Sequence, residues 1–348
     1  MKAQLILENG KRFSGTMFGS HRNVCGEVIF TTGMVGYQEV LTDPSYAGQI
    51  VTMTFPLIGN YGINSEDFES DKVSLSALIV REKCDFPSNF RSEMTLEDFM
   101  KKHDAVGLYG IDTRALTKEL TANGTMKGVI IEGEPTDDEV KALFSTCNNS
   151  NNFLKTSAKE AYVINPNSEK HIALIDLGAS DALIRLLSDM KHKVTVFPKT
   201  ANAEEILKSN ADMVYVSNGP ENLSDAGNII ANIKELIGKV NLIGTGFGHL
   251  LIGAALGAKI EKLKFGHHGA NQPVKNTQTN DVFSTVQNHS YVLTDLPDEI
   301  SKTFINVNDN TIEGIAHKTL PIRSTQFDQA QVSGKLSLSY MKFLKEVL

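Results

Sequence analysis

Val240-Asn241-Leu242-Ile243-Gly244-Thr245-Gly246-Phe247-Gly248-His249 decides the fold. A short apolar strand runs to Ile243, glycines at alternate positions turn the chain, and Phe247 to Leu256 continues as an apolar helix. This is the layout of a nucleophile elbow, a tight strand-to-helix turn that lifts one side chain above a sheet. Here the lifted position is Gly246. A dinucleotide-binding reading fails on spacing, because the pattern is G-x-G-x-G and several β-α units precede it.

Upstream the same alternation repeats. His171 to Asp176 reads as a strand, Asp181 to Met190 as a helix, Lys193 to Pro198 as a strand and Ala203 to Lys208 as a helix. Met213 to Ser217 and Asp225 to Leu236 follow the same rhythm. Such repetition predicts a parallel sheet with helices on both faces, and a site beyond the carboxyl ends of its strands. The loops Ser217 to Asn222 and Gly244 to His249 lie there. Before this region, Asn148 to Lys170 is polar and marks a domain boundary. The first part of the chain is rich in turns and short strands, at Gln4 to Leu7, Glu27 to Phe30, Ile50 to Thr54 and Leu75 to Val80. Helices are expected at Thr95 to Met100 and Asp112 to Leu120, the second opening on Asp or Thr as its cap.

The chain has 348 residues, 34 Lys and Arg against 41 Asp and Glu, and a net charge of −7. An acidic surface repels phosphate backbones and anionic lipid heads, so nucleic acid and membrane surfaces are not expected partners. Hydrophobic residues at 41% and charged residues at 22% are an ordinary globular mix, which excludes wholesale disorder. Cys25, Cys84 and Cys147 form no C-x-x-C or Cys/His cluster, so neither a disulfide framework nor a zinc site is expected and a reducing cytoplasm fits best. The apolar run at the N-terminus meets Glu8 too early for a signal-peptide core. Leu250 to Ala258 is far short of the roughly 20 residues of a membrane span.

The motifs carry a resemblance. The N-terminal half holds Gly26-Glu27-Val28, Gly36-Tyr37-Gln38-Glu39-Val40-Leu41-Thr42-Asp43-Pro44-Ser45-Tyr46, Gly59-Asn60-Tyr61-Gly62 and Gly110-Ile111-Asp112-Thr113-Arg114-Ala115-Leu116-Thr117. The C-terminal half holds Ser217-Asn218-Gly219-Pro220, Lys264-Phe265-Gly266-His267-His268-Gly269, Gln287-Asn288-His289 and Glu313-Gly314-Ile315-Ala316-His317-Lys318. Along essentially its whole length the chain resembles the small subunit of carbamoyl phosphate synthetase. The resemblance implies an α/β protein: a mixed α+β domain over residues 1–150 particular to that subunit, a linker at 151–170, and over 171–348 a class I glutamine amidotransferase-like domain with a mainly parallel sheet flanked by helices. It also implies a cytoplasmic heteromeric complex. In that family the small subunit hydrolyses glutamine and passes ammonia to a large subunit, which uses ATP, Mg and bicarbonate. No cofactor is expected in this chain.

Glutamine hydrolysis needs a thiolate nucleophile, a histidine base and a carboxylate that orients it. Against the family's G-x-C-x-G-H-Q, this sequence has Gly246 at the cysteine and Leu250 at the glutamine. Against Q-G-H-P-E it reads Gln326-Phe327-Asp328-Gln329-Ala330, with Asp328 at the histidine and Ala330 at the glutamate. Gly246, Asp328 and Ala330 thus mark a degenerate triad. The resemblance places a vestigial glutamine pocket at Ser45, Gly219, Glu221, Phe247, Leu250, Asn288, Ser290 and Tyr291. Of these, Glu221 and Ser290 replace glycines, and an inward Glu221 would repel a substrate carboxylate.

The bland readings favour structure over chemistry. His249, His267, His268, His289 and His317 read as packing or loop hydrogen-bonding residues, so no metal is expected. Asp328 reads as a solvated replacement with no nucleophile left to activate, and Glu221 as an exposed loop carboxylate. The expected function is a subunit that has lost glutaminase activity and supports ammonia-dependent synthesis on a large subunit, for arginine or pyrimidine biosynthesis. A stand-alone metabolite-binding pseudoenzyme and an active glutaminase remain as alternatives.

Overall fold

The computed structural model describes residues 1–147 and 156–328. The chain divides into two compact units, Met1–Phe153 and Leu154–Leu348.

In the first unit the strands are β1 (Lys2–Leu7), β2 (Arg12–Gly19), β3 (Val24–Thr31), β4 (Gln49–Met53), β5 (Leu57–Ile58), β6 (Ala77–Val80), β7 (Glu82–Lys83), β8 (Val106–Tyr109) and β9 (Met126–Glu132). The helices are α1 (Tyr37–Thr42), α2 (Leu96–Lys102), α3 (Thr113–Asn123) and α4 (Asp137–Ser145). Strands β1-β2-β8-β6-β4-β3-β9 close into a barrel, which removes every unpaired edge. Short-range alternation announces β1, β3, β4 and β6 but neither β2, β8 and β9 nor the closure. The expected cap forms at α3, where Asp112 accepts from the Ala115 N–H, and Thr95 caps α2 by accepting from the Asp98 N–H. Two of the quoted motif blocks hold one another. The Tyr37 hydroxyl donates to the Gly62 carbonyl at 2.6 Å, and Gln38 exchanges bonds with the Asn64 backbone at 2.6 and 3.0 Å.

One expectation fails in this unit. Cys25 on β3 and Cys147 beyond α4 are joined as a disulfide, with Cα atoms 5.8 Å apart. They are 122 residues apart in sequence, so spacing gives no hint of the pairing. The apolar face of α4, Val140, Leu143 and Phe144, packs with Cys25, Ile6, Val129 and Ile131 and carries the chain back over β3. Cys84 is the free thiol.

The second unit holds β10 (Tyr162–Ile164), β11 (His171–Asp176), β12 (Lys193–Pro198), β13 (Met213–Val216), β14 (Asn241–Thr245), β15 (Lys259–Asn276), β16 (Val282–Thr294), β17 (Ile300–Asn306), β18 (Ile312–His317) and β19 (Ile322–Thr325). Its helices are α5 (Asp181–Asp189), α6 (Ala203–Lys208), α7 (Ala226–Leu236) and α8 (Phe247–Ala255). They belong to one sheet in the order β10-β12-β11-β13-β14-β19-β18-β16-β15-β17. The five strands from β12 to β19 are parallel to their neighbours, as the β-α rhythm requires. From β19 outward the pairing turns antiparallel, because β15 to β18 are joined without crossover helices. Strand β10 falls inside the expected linker and pairs with β12. Apolar clusters cover both faces: Leu183 and Leu187 pack with Ile172, Leu174 and Val196, while Ile229, Ile233, Leu250 and Leu251 pack with Ala173, Val214 and Val216. No helix among the described residues is long and apolar enough to cross a membrane.

Candidate functional site

The loop after β13 and the turn between β14 and α8 meet at the carboxyl ends of neighbouring parallel strands. Gly246 sits at φ 53°, ψ −119°, the strained left-handed turn of a nucleophile elbow. The backbone device is therefore present without its side chain. Gly246 is held by its N–H on the Thr325 carbonyl at 2.9 Å, and Gly248 donates to the Ser217 carbonyl at 3.2 Å.

What fills the space is Asn218. A β-carbon built on Gly246 would overlap the amide oxygen and Cγ of Asn218. The same oxygen accepts the Phe247 N–H at 3.0 Å. In an elbow, the N–H of the residue after the nucleophile is an oxyanion-hole donor. One side chain thus occupies both the place of the nucleophile's β-carbon and the donor that would stabilise a tetrahedral intermediate. The Ser217-Asn218-Gly219-Pro220 block matches the family motif and carries no sign of this in the sequence, where the missing β-carbon at Gly246 is its trace. Gly219 packs closely against the neighbouring backbone, since a β-carbon there would collide with the Leu177 carbonyl.

Glu221 is not the exposed carboxylate expected from its loop. Its Oε2 accepts the Ser290 N–H at 2.6 Å, a short charge-assisted bond. Two positions where the resemblance expects glycine therefore bind each other. Asn288 is also engaged, its Oδ1 lying 2.6 Å from His268 Nδ1. Leu250 is fully buried in the core, where its family counterpart would be polar. Phe247 is buried as the first residue of α8, and Tyr291 packs against the same core.

Asp328 is 6% exposed, so the solvated reading is corrected: the chain after β19 runs inward, and Asp328 N–H donates to the Val286 carbonyl at 3.4 Å. Ala330 lies outside the described residues. Ser45 belongs to the first unit, where Asp43 Oδ1 accepts its N–H at 2.8 Å in a 3-10 turn over Pro44–Tyr46. His249, next to the elbow, is fully buried; its Nδ1 pairs with Ser324 Oγ at 2.8 Å and its Nε2 has no partner among the described residues. Burial pushes its pKa down to about 3, so it stands neutral.

A second group of side chains gathers on the antiparallel wing. His267 on β15 and His289 on β16 are cross-strand partners, and both reach the fully buried Glu313 on β18. Burial disfavours a charge on His267, but the Glu313 and Asp309 carboxylates outweigh it and its pKa is raised. Burial dominates at His289 and lowers it well below the usual histidine range. His268 and His317 stand apart from this trio, His317 Nδ1 accepting the Thr319 and Leu320 N–H groups.

Comparison with known proteins matches residues 5–130 to the family model described as carbamoyl-phosphate synthase small chain, CPSase domain. Residues 173–328 match glutamine amidotransferase class-I. The chain is 47% identical over 350 residues to the carbamoyl phosphate synthase small chain of Clostridium perfringens, covering 100% of both chains. It is 45% identical to the pyrimidine-specific small chain of Bacillus subtilis, over 94% of this chain and 90% of that one. Against the small chain from Fusobacterium nucleatum it is 44% identical, over 99% of this chain and 98% of the relative.

Proposed function

Since the chain belongs to the carbamoyl phosphate synthase small-chain family, we propose that it serves as a small subunit that docks on a large subunit without hydrolysing glutamine itself. One observation carries the reading: the Asn218 side chain sits in the nucleophile's space at Gly246 and holds the Phe247 N–H. A glutamine amide brought to this elbow would meet no thiolate and no vacant oxyanion donor. Removing the nucleophile or base alone from a catalytic triad costs on the order of 10⁶ in turnover, so no useful ammonia would arise from glutamine here.

The Glu221 carboxylate on the Ser290 N–H supports the same reading, because a substrate carboxylate approaching that donor would be repelled. Cys25 and Cys147 are joined as a disulfide, so neither offers a thiol to replace the missing nucleophile. Meanwhile the blocks around Tyr37 and Gln38 are joined by hydrogen bonds to Gly62 and Asn64, which supports a well-formed first unit for a partner to meet. The large subunit would bring the ATP and Mg chemistry, and this chain would contribute a folded partner surface in the cytoplasm.

To test the proposal, the chain is purified with a candidate large subunit and carbamoyl phosphate formation is measured separately with glutamine and with ammonium. Ammonium-driven synthesis by a stable complex, with glutamine giving no more than the large subunit alone, is the expected result. Robust glutamine-driven synthesis would overturn the inactivity, and failure to form a complex would overturn the docking role.

A further inference from the structure

We propose that His267, His289, Glu313 and Gln287 form a buried site for one divalent transition-metal ion of the zinc type. The argument comes from where the hydrogens must lie. His289 Nδ1 is 3.0 Å from the Tyr291 carbonyl, which only accepts, so Nδ1 carries the proton of the neutral ring. Its Nε2 then presents a lone pair. Gln287 Oε1 faces that lone pair at 3.0 Å and Glu313 Oε1 at 3.7 Å. The Gln287 amide is not free to flip, because its Nε2 donates to Glu313 Oε2 at 3.1 Å and to Thr285 Oγ1 at 3.0 Å.

His267 repeats the pattern. Its Nε2 donates to Asp309 Oδ2 at 2.9 Å. Its Nδ1 faces the Asn306 amide nitrogen at 3.3 Å, and that amide is fixed because its Oδ1 accepts the Asn308 N–H at 2.8 Å. A lone pair on Nδ1 satisfies Asn306 but then confronts Glu313 Oε1 at 3.2 Å. A proton on Nδ1 answers Glu313 but opposes the Asn306 donor. The His289 Nε2 lone pair thus meets the acceptors Gln287 Oε1 and Glu313 Oε1, and a cation answers all three; to join them, His267 Nδ1 turns its one lone pair from the Asn306 amide to the ion.

With bonds of about 2.0–2.2 Å, a tetrahedral zinc spaces its ligand atoms about 3.4 Å apart. Three separations here, 3.0, 3.2 and 3.7 Å, are close to that edge. One ligand atom from each of His267, His289 and Glu313 lies within 4.8 Å of the others, and the two imidazoles draw together to hold the ion. The second shell is that of a metal centre as well: one imidazole is oriented by a carboxylate, Asp309, and the other by a backbone carbonyl. Four protein ligands in full burial describe a structural ion with no open position for substrate. The inference is independent of the proposed function, since none of these groups touches the elbow residues Gly246 or Asn218 in any bond named above.

The test uses the full chain, stripped with a chelator and then given Zn²⁺ or Co²⁺ alone. One equivalent retained through gel filtration, a visible ligand-field spectrum of four-coordinate Co²⁺ and a raised unfolding temperature are expected. His289→Gln should lower the retained metal at least tenfold, while His103→Gln in the other unit leaves it at one equivalent. Should His289→Gln fail to fold, X-ray absorption on the unaltered zinc-loaded chain counts the imidazoles, and two are expected. No retained metal, or a bound metal with fewer than two imidazoles, overturns the site and leaves a hydrogen-bonded ion pair with a proton in the ion's place.

Discussion

The turn between β14 and α8 and the antiparallel wing of β15 to β18 belong to one sheet, yet they have kept opposite things. The turn retains a demanding backbone, with Gly246 at φ 53°, and holds no reactive side chain. The wing has regular strand backbone at His289 and Glu313 and packs imidazoles, carboxylates and amides into full burial. A demanding backbone conformation can therefore stand without a reactive side chain when another group fills the space, as Asn218 does. Buried polar side chains persist only if each is satisfied, so the wing reports a present physical need.

The largest break in this contrast should come from Glu313→Ala. It removes the acceptor shared by His267, Gln287 and Thr311, and breaking a buried charged network costs about 3–5 kcal/mol. The urea midpoint of the purified chain measures it, and a loss below about 1 kcal/mol would mean the wing is no more committed than a surface.

Acid should separate the regions next. His249 has an ordinary pKa near 6.5 when unfolded and about 3 when folded, lowered by burial. A depressed folded pKa contributes stability that is complete above about pH 6.5 and drains as pH falls toward about 3, at up to about 1.4 kcal/mol per pH unit. Denaturation midpoints across that range should fall less steeply in His249→Asn than in the unaltered chain.

Gly246→Cys probes the turn itself. It restores the missing thiol but places a β-carbon against the Asn218 amide at a positive φ, so a loss of about 1–3 kcal/mol is expected without glutamine turnover. Adding Asn218→Ala should recover part of that loss, a positive coupling that a double-mutant cycle reads. The smallest effect belongs to Glu221→Gln, which turns a charge-assisted bond to the Ser290 N–H into a neutral one, for about 1 kcal/mol in the same unfolding measurement.

Much of this was legible beforehand. The β-α rhythm from His171 to Leu256 predicts β11 to β14 of the parallel core, because burial on both faces demands continuous apolar runs, while β19 lies outside that rhythm. Asp112 announces its helix through the capping chemistry it then performs. Gly246 and Leu250 announce an elbow with no polar side chain at those two positions. The closure of the barrel, the antiparallel wing and the Cys25–Cys147 bond were not legible, since each joins segments far apart in sequence with no local pattern to mark the pairing.

The sequence by itself determined which residue types stand at the elbow, and a glycine there cannot supply a nucleophile in any fold. It also determined the family, through blocks too specific to arise from packing alone. Only the tertiary structure decided what the vacated positions do. Asn218 reaches the Phe247 N–H and Glu221 the Ser290 N–H because neighbouring strands deliver those loops to the same place. Likewise His267, His289 and Glu313 become one cluster only when three antiparallel strands come into register. Side-chain convergence is a property of strand pairing, and pairing partners distant in sequence are chosen by the packing of the whole sheet.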